Sequence, residues 1–553
     1  MEQTCREPYL DVPGMSWKAS GKGGVVVAGG SASVAAGIEI LAKGGNAADA
    51  AVATILALSI TDYGFFCIGA EVPFIIYDAT KREVKVLSGL GGAPSNPDAI
   101  KWYYEHGIPG NGGMKAAPVP AVISLCFAAL KLYGTMTFEE VIEPTLALLD
   151  TDQQDWYKKL KTTLNKLIET ERNTTGIREE RLQAARDRFY KGDIAYNLQD
   201  WYIKEGGFLR KADLAAHVTR VEDPIIIDYR GYTVCKCDTW TQGPVLCQTL
   251  RILEEFDLKK MGHLSTDYIH VCTEALKLSF ADRDEYYGDP LFADVPIQKL
   301  LSDEYTNLRR PLIDMTKASP VIRPGDPINM KALLGTGKYR PGVGGTTTCC
   351  VADRWGNLVA ATPSGNPPYM TPPGGETGVT HGNRLRSLNT TKGHANCIKP
   401  GKRPRITLTP TIVLKDTRPI LAISVAGGDL QDQTTLNVLL NFVEYNMMPD
   451  DAVTSPRFRT GHHEDSFNPN PNRDTTIVQP AYLEVNTNID QEVKNKLINR
   501  EHNLNTTSEP IASPVMLCID QDTKILYAAG DPEAGRHAAA LDSISSKLGD
   551  LPP

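Results

Sequence analysis

Apolar and polar positions follow two periods along this chain. The run Gly24-Val25-Val26-Val27-Ala28-Gly29 is continuously small and apolar and reads as a short buried strand. Residues 32–41 read as a helix, with Ser31 or Ser33 as its cap and Gly44-Gly45 as its stop. Asn46 is placed to cap a second helix over 47–59, apolar nearly all round and therefore expected to be buried. Asp49 interrupts it, and its uncharged run is shorter than the roughly 18 residues of a membrane span. Residues 74–78 and 84–87 predict paired strands about the turn at 79–82, and 118–132 predicts a further apolar helix after a Pro/Gly-rich loop. From 151 to about 188 the pattern turns charged, as expected of an exposed helical arm over the core.

Beyond that, 225–229 and 232–237 predict a hairpin about Arg230-Gly231, and 244–256 and 268–287 predict helices. Residues 316–345 are interrupted by Pro and Gly and suit a flexible surface segment. The chain then changes character. Gly344-Gly345 runs into Thr346-Thr347-Thr348, an apolar strand, a turn at 353–357, and a second strand ending at Thr362 and Ser364. A hairpin of this kind brings its ends together, so Thr346 and Ser364 are expected to be neighbours. Strands are predicted at 406–414 and at 421–426, the latter ending in Gly427-Gly428-Asp429. A helix at 434–444, a strand near 477–485 and a hairpin over 515–529 complete the pattern. Strands flanked by long helices point to a layered α/β domain.

Composition narrows the function classes. The chain has 553 residues, 41% hydrophobic and 22% charged, with a formal net charge of −8 and no long basic run, which argues against nucleic-acid binding. Its 11 cysteines are an odd number, and residues 1–20 lack a basic start followed by an apolar core, so a reduced, cytoplasmic protein is expected. Cys235, Cys237, Cys349 and Cys350 have no second Cys/His pair at zinc spacing, and no metal or cofactor is expected. His462-His463-Glu464-Asp465 lacks helical metal spacing and reads as a solvated loop.

No G-x-S-x-G elbow is present, and a threonine hydroxyl is a weak nucleophile without a base. Cleavage between Gly345 and Thr346 solves that problem. It frees an α-amine with an ordinary pKa of about 7.7–8.0 on the residue whose hydroxyl needs activation. Gly345 leaves the scissile carbonyl unshielded, Gly427 and Gly428 can turn N–H groups toward an oxyanion, and Thr362 and Ser364 are placed to orient the nucleophile. The plain alternative is a threonine-rich strand with no chemistry.

Over most of its length the chain resembles the gamma-glutamyltransferase family, self-cleaving N-terminal-nucleophile hydrolases. The residues that carry the likeness are the run from Ala35 to Ala53 through Gly44-Gly45-Asn46, the turn Asp353-Arg354-Trp355-Gly356-Asn357, Gly401-Lys402-Arg403-Pro404, Thr409-Pro410-Thr411, Gly427-Gly428, and Pro456-Arg457-Phe458. The resemblance implies a four-layer αββα sandwich built from a large part, 1–345, and a small part, 346–553, that stay associated after cleavage. A homodimer is compatible with it. The likeness implies Thr346 as nucleophile, Ser364 as its support, Gly427 and Gly428 as oxyanion glycines, and Asn366 as a substrate-binding residue.

The departures bear on substrate. The family's R-x-x-A-P arginine is missing from Leu90-Gly91-Gly92-Ala93-Pro94, its N-N-Q-x-D-D run becomes Gly382-Asn383-Arg384-Leu385-Arg386-Ser387, and its paired serines become Ile406-Thr407. Arg384 and Arg386, with Thr362 and Thr407 alongside, are therefore expected to meet an acyl group that carries a carboxylate and lacks an α-amine, the kind that oxamate amidohydrolase takes. The expected partners are a small-molecule amide and a water or amine acceptor, with neither nucleic acid nor membrane. True γ-glutamyl hydrolysis or transfer, and an unprocessed non-catalytic homologue, stand as the alternatives.

Overall fold

Small and β-branched side chains dominate the strands, and they assemble into two antiparallel seven-stranded sheets stacked face to face. This computed structural model describes residues 15–152, 154–334, 346–365, 373–467 and 480–541. One sheet orders its strands His537–Leu541, Gly24–Ala28, Cys349–Asp353, Leu358–Ala361, Val72–Asp78, Glu83–Gly89 and Arg220–Glu222. The other runs Lys18–Gly21, Leu526–Gly530, Ser513–Ile519, Arg418–Ala426, Thr411–Lys415, Tyr232–Lys236 and Ile225–Tyr229. Every strand pair in the two sheets is antiparallel. Alternation along each strand then sends one face inward. Val25, Val27, Ile75 and Val86 of the first sheet meet Cys235, Ile412, Ala422 and Leu517 of the second in one buried layer.

The outer faces are covered by helices. Ser31–Ala42, Ala47–Thr61 and Val122–Tyr133 bury the first sheet, and Pro244–Leu253, Thr266–Tyr286 and Gln431–Val443 bury the second. The four-layer αββα order implied by the resemblance is the architecture of the chain. Both sheets contain strands from before and after residue 345: Gly24–Ala28 pairs on one side with Cys349–Asp353 and on the other with His537–Leu541.

The helix Ala47–Thr61 is tied at its start by both parts. The Asn46 side chain accepts from the N–H groups of Ala48 and Asp49, and Asp49 accepts in return from the Asn46 N–H. Asp353, the first residue of the turn picked out in the sequence, accepts from the Ala47 N–H at 2.9 Å and from its own turn at Asn357 Nδ2, 2.7 Å. Gly356, at φ 91°, lets that turn close.

Three expectations need correction. The charged stretch after 151 forms the helices Asp155–Asn173 and Arg178–Lys191, whose Leu160, Leu164, Leu167, Leu182 and Phe189 join the main core rather than an exposed arm. Their helical spacing was hidden under a polar composition. Residues 406–410 are not strand: the ladder begins at Thr411, after Pro410, which has no N–H to give. The helix 32–41 begins one residue earlier, at Ser31, with Gly30 in the cap position and no side-chain cap bond.

Candidate active site

Thr346 stands three residues before the strand Cys349–Asp353, is 5% exposed, and lines a cavity of about 710 Å³. Backbone bonds clamp this stretch from both sides: Thr347 N–H donates to Pro363 O at 2.9 Å, and Gly29 N–H donates to Thr348 O at 3.3 Å. Thr346 Oγ1 donates to Ser364 Oγ at 3.3 Å, so the hairpin joins these two hydroxyls as its sequence predicted. Gly345, on the other side of the expected cut, lies outside the described residues, as does Asn366.

Gly427 and Gly428 line the same cavity. Their φ angles are 151° and 59°, in the region that favours glycine. A Cβ on Gly427 would lie 2.7 Å from the Ala512 Cβ, and one on Gly428 would lie 3.2 Å from Phe467. Among the described residues no acceptor takes either N–H. They stand just ahead of the helix Gln431–Val443, whose N-terminus favours negative charge. The next residue, Asp429, is lashed down: Arg283 donates to it, as do the N–H (3.0 Å) and Oγ (2.6 Å) of Ser466. Against the upward push of burial, Arg283 and His463 hold its carboxyl below the usual range. A fixed anion at 429 fixes the turn that presents the glycines.

The residues expected to grip substrate fall elsewhere. Arg384 is fully buried, donates through Nε to Glu71 Oε1 and through Nη2 to Ser364 Oγ at 2.5 Å, and does not line the cavity. Glu71 and Ser364 are also bonded backbone to backbone, at 3.1 and 3.0 Å, so Glu71, Arg384 and Ser364 close a triangle behind Thr346. Burial pushes the Glu71 carboxyl up, while Arg384 opposes that push. Arg386 donates to Gly110 O at 3.1 Å, and its guanidinium lies 4.9 Å from the Phe467 ring centroid. Phe467 lines the cavity; neither arginine does. Thr362 shares a 2.9 Å hydrogen bond with Ser424, and Thr407 is buried with no partner for its hydroxyl among the described residues. Neither reaches the cavity wall.

Several wall residues were not singled out in the sequence. Asp62 accepts from the Gly30 N–H (3.1 Å), from Thr61 Oγ1 (3.0 Å) and from Thr347 Oγ1 (2.5 Å), which places a carboxylate beside the residue that follows Thr346. A lone acid closing a nearly apolar helix was the available signal, as was Glu71 in the apolar run from Phe66 to Tyr77. Arg536 carried no such signal. His462 and His463, expected in a solvated loop, are buried, and His463 and Asp465 line the cavity. The Asp465 carboxyl is pushed up to about 6 by burial and by Asp429, with Arg386 opposing.

Comparison with known proteins accords with this geometry. The Gamma-glutamyltranspeptidase family model matches residues 33–151 and 158–541. The glutathione hydrolase proenzyme of Bacillus subtilis (strain 168) is 30% identical over 480 residues, covering 80% of this chain and 81% of the relative. The acylase ACY 1 proenzyme of Pseudomonas sp. (strain SE83) is likewise 30% identical over 480 residues, covering 80% of this chain and 83% of the relative. The solved structure of LmbA2991HD superposes with a TM-score of 0.82 at 30% identity, covering 94% of this chain and 99% of that one.

Proposed function

The chain belongs to the gamma-glutamyltranspeptidase family, and from that premise we propose that it is a proenzyme that cuts itself before Thr346 and then hydrolyses a small-molecule amide through that residue. The observation that carries the proposal is the meeting of Thr346, Ser364 and the Gly427-Gly428 turn around one cavity. Relatives named as proenzymes, among them a glutathione hydrolase and an acylase, support the same reading.

In the first step the Thr346 hydroxyl attacks the carbonyl of residue 345, and the acyl group shifts from nitrogen to oxygen. Water opens the ester and leaves a carboxyl terminus and a free α-amine. That amine then takes the Thr346 proton as Oγ1 attacks the substrate carbonyl. Ser364, itself held by Arg384, accepts from Oγ1 and sets its direction. The N–H groups at 427 and 428 face the developing oxyanion, and the proton passes to the departing amine. Water, or an amine acceptor, completes the acyl transfer. The large and small parts share both sheets, which supports their staying together after the cut.

The acyl group in this reading carries a carboxylate, and a reduced, intracellular setting goes with it. The glutathione hydrolase among the relatives favours a second reading, γ-glutamyl hydrolysis or transfer. A release assay separates them. Processed protein is given a γ-glutamyl anilide and a glutaryl anilide, which differ by the α-amine. Preference for the glutaryl compound fits the first reading, and preference for the γ-glutamyl compound replaces it with the second.

A further inference from the structure

Among the described charged side chains on the cavity wall, Asp62, Asp429, Arg459, His463, Asp465 and His537 each have a hydrogen-bond partner. Arg536 has none. It is 8% exposed, its Nε is buried without a partner among the described residues, and its nearest anion is Asp62, 3.8 Å from Nη1. That carboxylate is already engaged by Gly30, Thr61 and Thr347. A guanidinium with open donors, held out of water on a cavity wall, is an anion site awaiting its anion.

The position of Arg536 is built. It follows Gly535 (φ 64°), its N–H donates to Asp531 O at 3.1 Å, and it leads into the strand His537–Leu541. Gly29 faces the same space. A Cβ there would start 3.1 Å from Arg536 Nη1 and 2.5 Å from the Thr347 hydroxyl oxygen, so a side chain at 29 would crowd both. The guanidinium thus lies within one side chain's reach of the residue next to Thr346.

We propose that Arg536 is the specificity-determining residue of this site, holding a carboxylate of the substrate while Thr346 attacks the amide. This rests on the reading of Thr346 as the nucleophile. It moves anion recognition from the buried Arg384 and Arg386 to the other end of the chain. Of the three carboxylates sharing the wall, Asp429 is paired with Arg283, Asp62 is saturated with donors, and Asp465 keeps its proton more readily than an ordinary aspartate. A charged substrate group is left Arg536 as its counter-ion.

The test uses processed full-length protein and three amides. Glutaryl-p-nitroanilide carries its carboxylate in the acyl half, N-butyryl-4-aminobenzoate carries it in the amine half, and butyryl-p-nitroanilide is neutral. The native protein is expected to favour one charged compound over the neutral one, and which one tells the half of the substrate that Arg536 reads. Arg536→Gln should lower that charged-to-neutral ratio of kcat/KM by about 10–100-fold, and Arg536→Lys by less, because the charge stays while the fork is lost. Both variants are first checked for the two-fragment pattern of processed enzyme. No preference in the native protein, or an unchanged ratio in both variants, overturns the proposal. If none of the amides turns over, calorimetry with glutarate and 4-aminobenzoate decides: binding lost in Arg536→Gln supports the proposal, and no binding or equal binding overturns it. An uncut native chain instead points to failure of the Thr346 reading itself.

Discussion

The Thr346 hydroxyl donates to Ser364 Oγ at 3.3 Å, and the same oxygen accepts from Arg384 Nη2 at 2.5 Å. Ser364 thus couples the Thr346 hydroxyl to a buried ion pair, Arg384 with Glu71, that itself never reaches the cavity.

The native protein should appear on a denaturing gel as two fragments, with mass spectrometry placing Thr346 at the start of the smaller. Thr346→Ala should stay as one chain of 60.4 kDa and lose amide hydrolysis by at least about a thousandfold. A two-fragment Thr346→Ala would discard the scheme.

Ser364→Ala removes one acceptor from the Thr346 hydroxyl and strands an Arg384 donor. We expect kcat to fall by about 10-fold or more with KM changed less, and processing to slow in parallel. Stopped time courses of processing and steady-state kinetics read both. A loss confined to KM would place Ser364 in substrate binding instead.

Glu71→Ala leaves the Arg384 charge buried without its counter-ion, and should cost about 3–5 kcal/mol in chemical denaturation. The double change Glu71→Leu with Arg384→Met should recover much of that stability without restoring activity, since Ser364 has still lost its donor. Equal stability of single and double variants would argue against the pair.

The two glycines should separate. Gly427→Ala, whose Cβ would meet Ala512 at 2.7 Å, is expected to show mainly as lost stability. Gly428→Ala has more room, 3.2 Å to the end of Phe467, and should fold yet lose about 100-fold in kcat as the N–H turns away. Unchanged kcat in a folded Gly428→Ala would remove that residue from the oxyanion site.

Asp465 supplies a pH dependence. Its folded-state carboxyl sits at about 6, above the ordinary value near 3.9, so its contribution to stability is full below about pH 4 and is lost as pH rises through 6. Asp432, also at about 6, acts in the same sense, so the comparison is between native protein and Asp465→Asn. The variant should lose less stability between pH 4.5 and 7.5, by about 2 kcal/mol, in denaturation at the two pH values. Parallel curves would remove Asp465 as the source.

What the amino-acid sequence determined by itself was local. The period of Ala47–Thr61 and its Asn46 cap, the turn from Asp353 to Asn357 and the Gly427-Gly428 turn were all legible, because each depends on neighbours a few residues away. Even the Thr346–Ser364 contact spans only 18 residues of one hairpin. The partners of the charged groups were decided by the tertiary structure alone. Arg384 is 313 residues from Glu71, and their pairing holds it behind Ser364 and off the cavity wall. Arg536 reaches the cavity because the strand it leads into lies beside Gly24–Ala28, with Gly29 leaving room at its end. A guanidinium is the same in sequence whether it meets a carboxylate, a ring or an open cavity. Its surroundings differ by several kcal/mol, and only the packed sheets decide which of them it has.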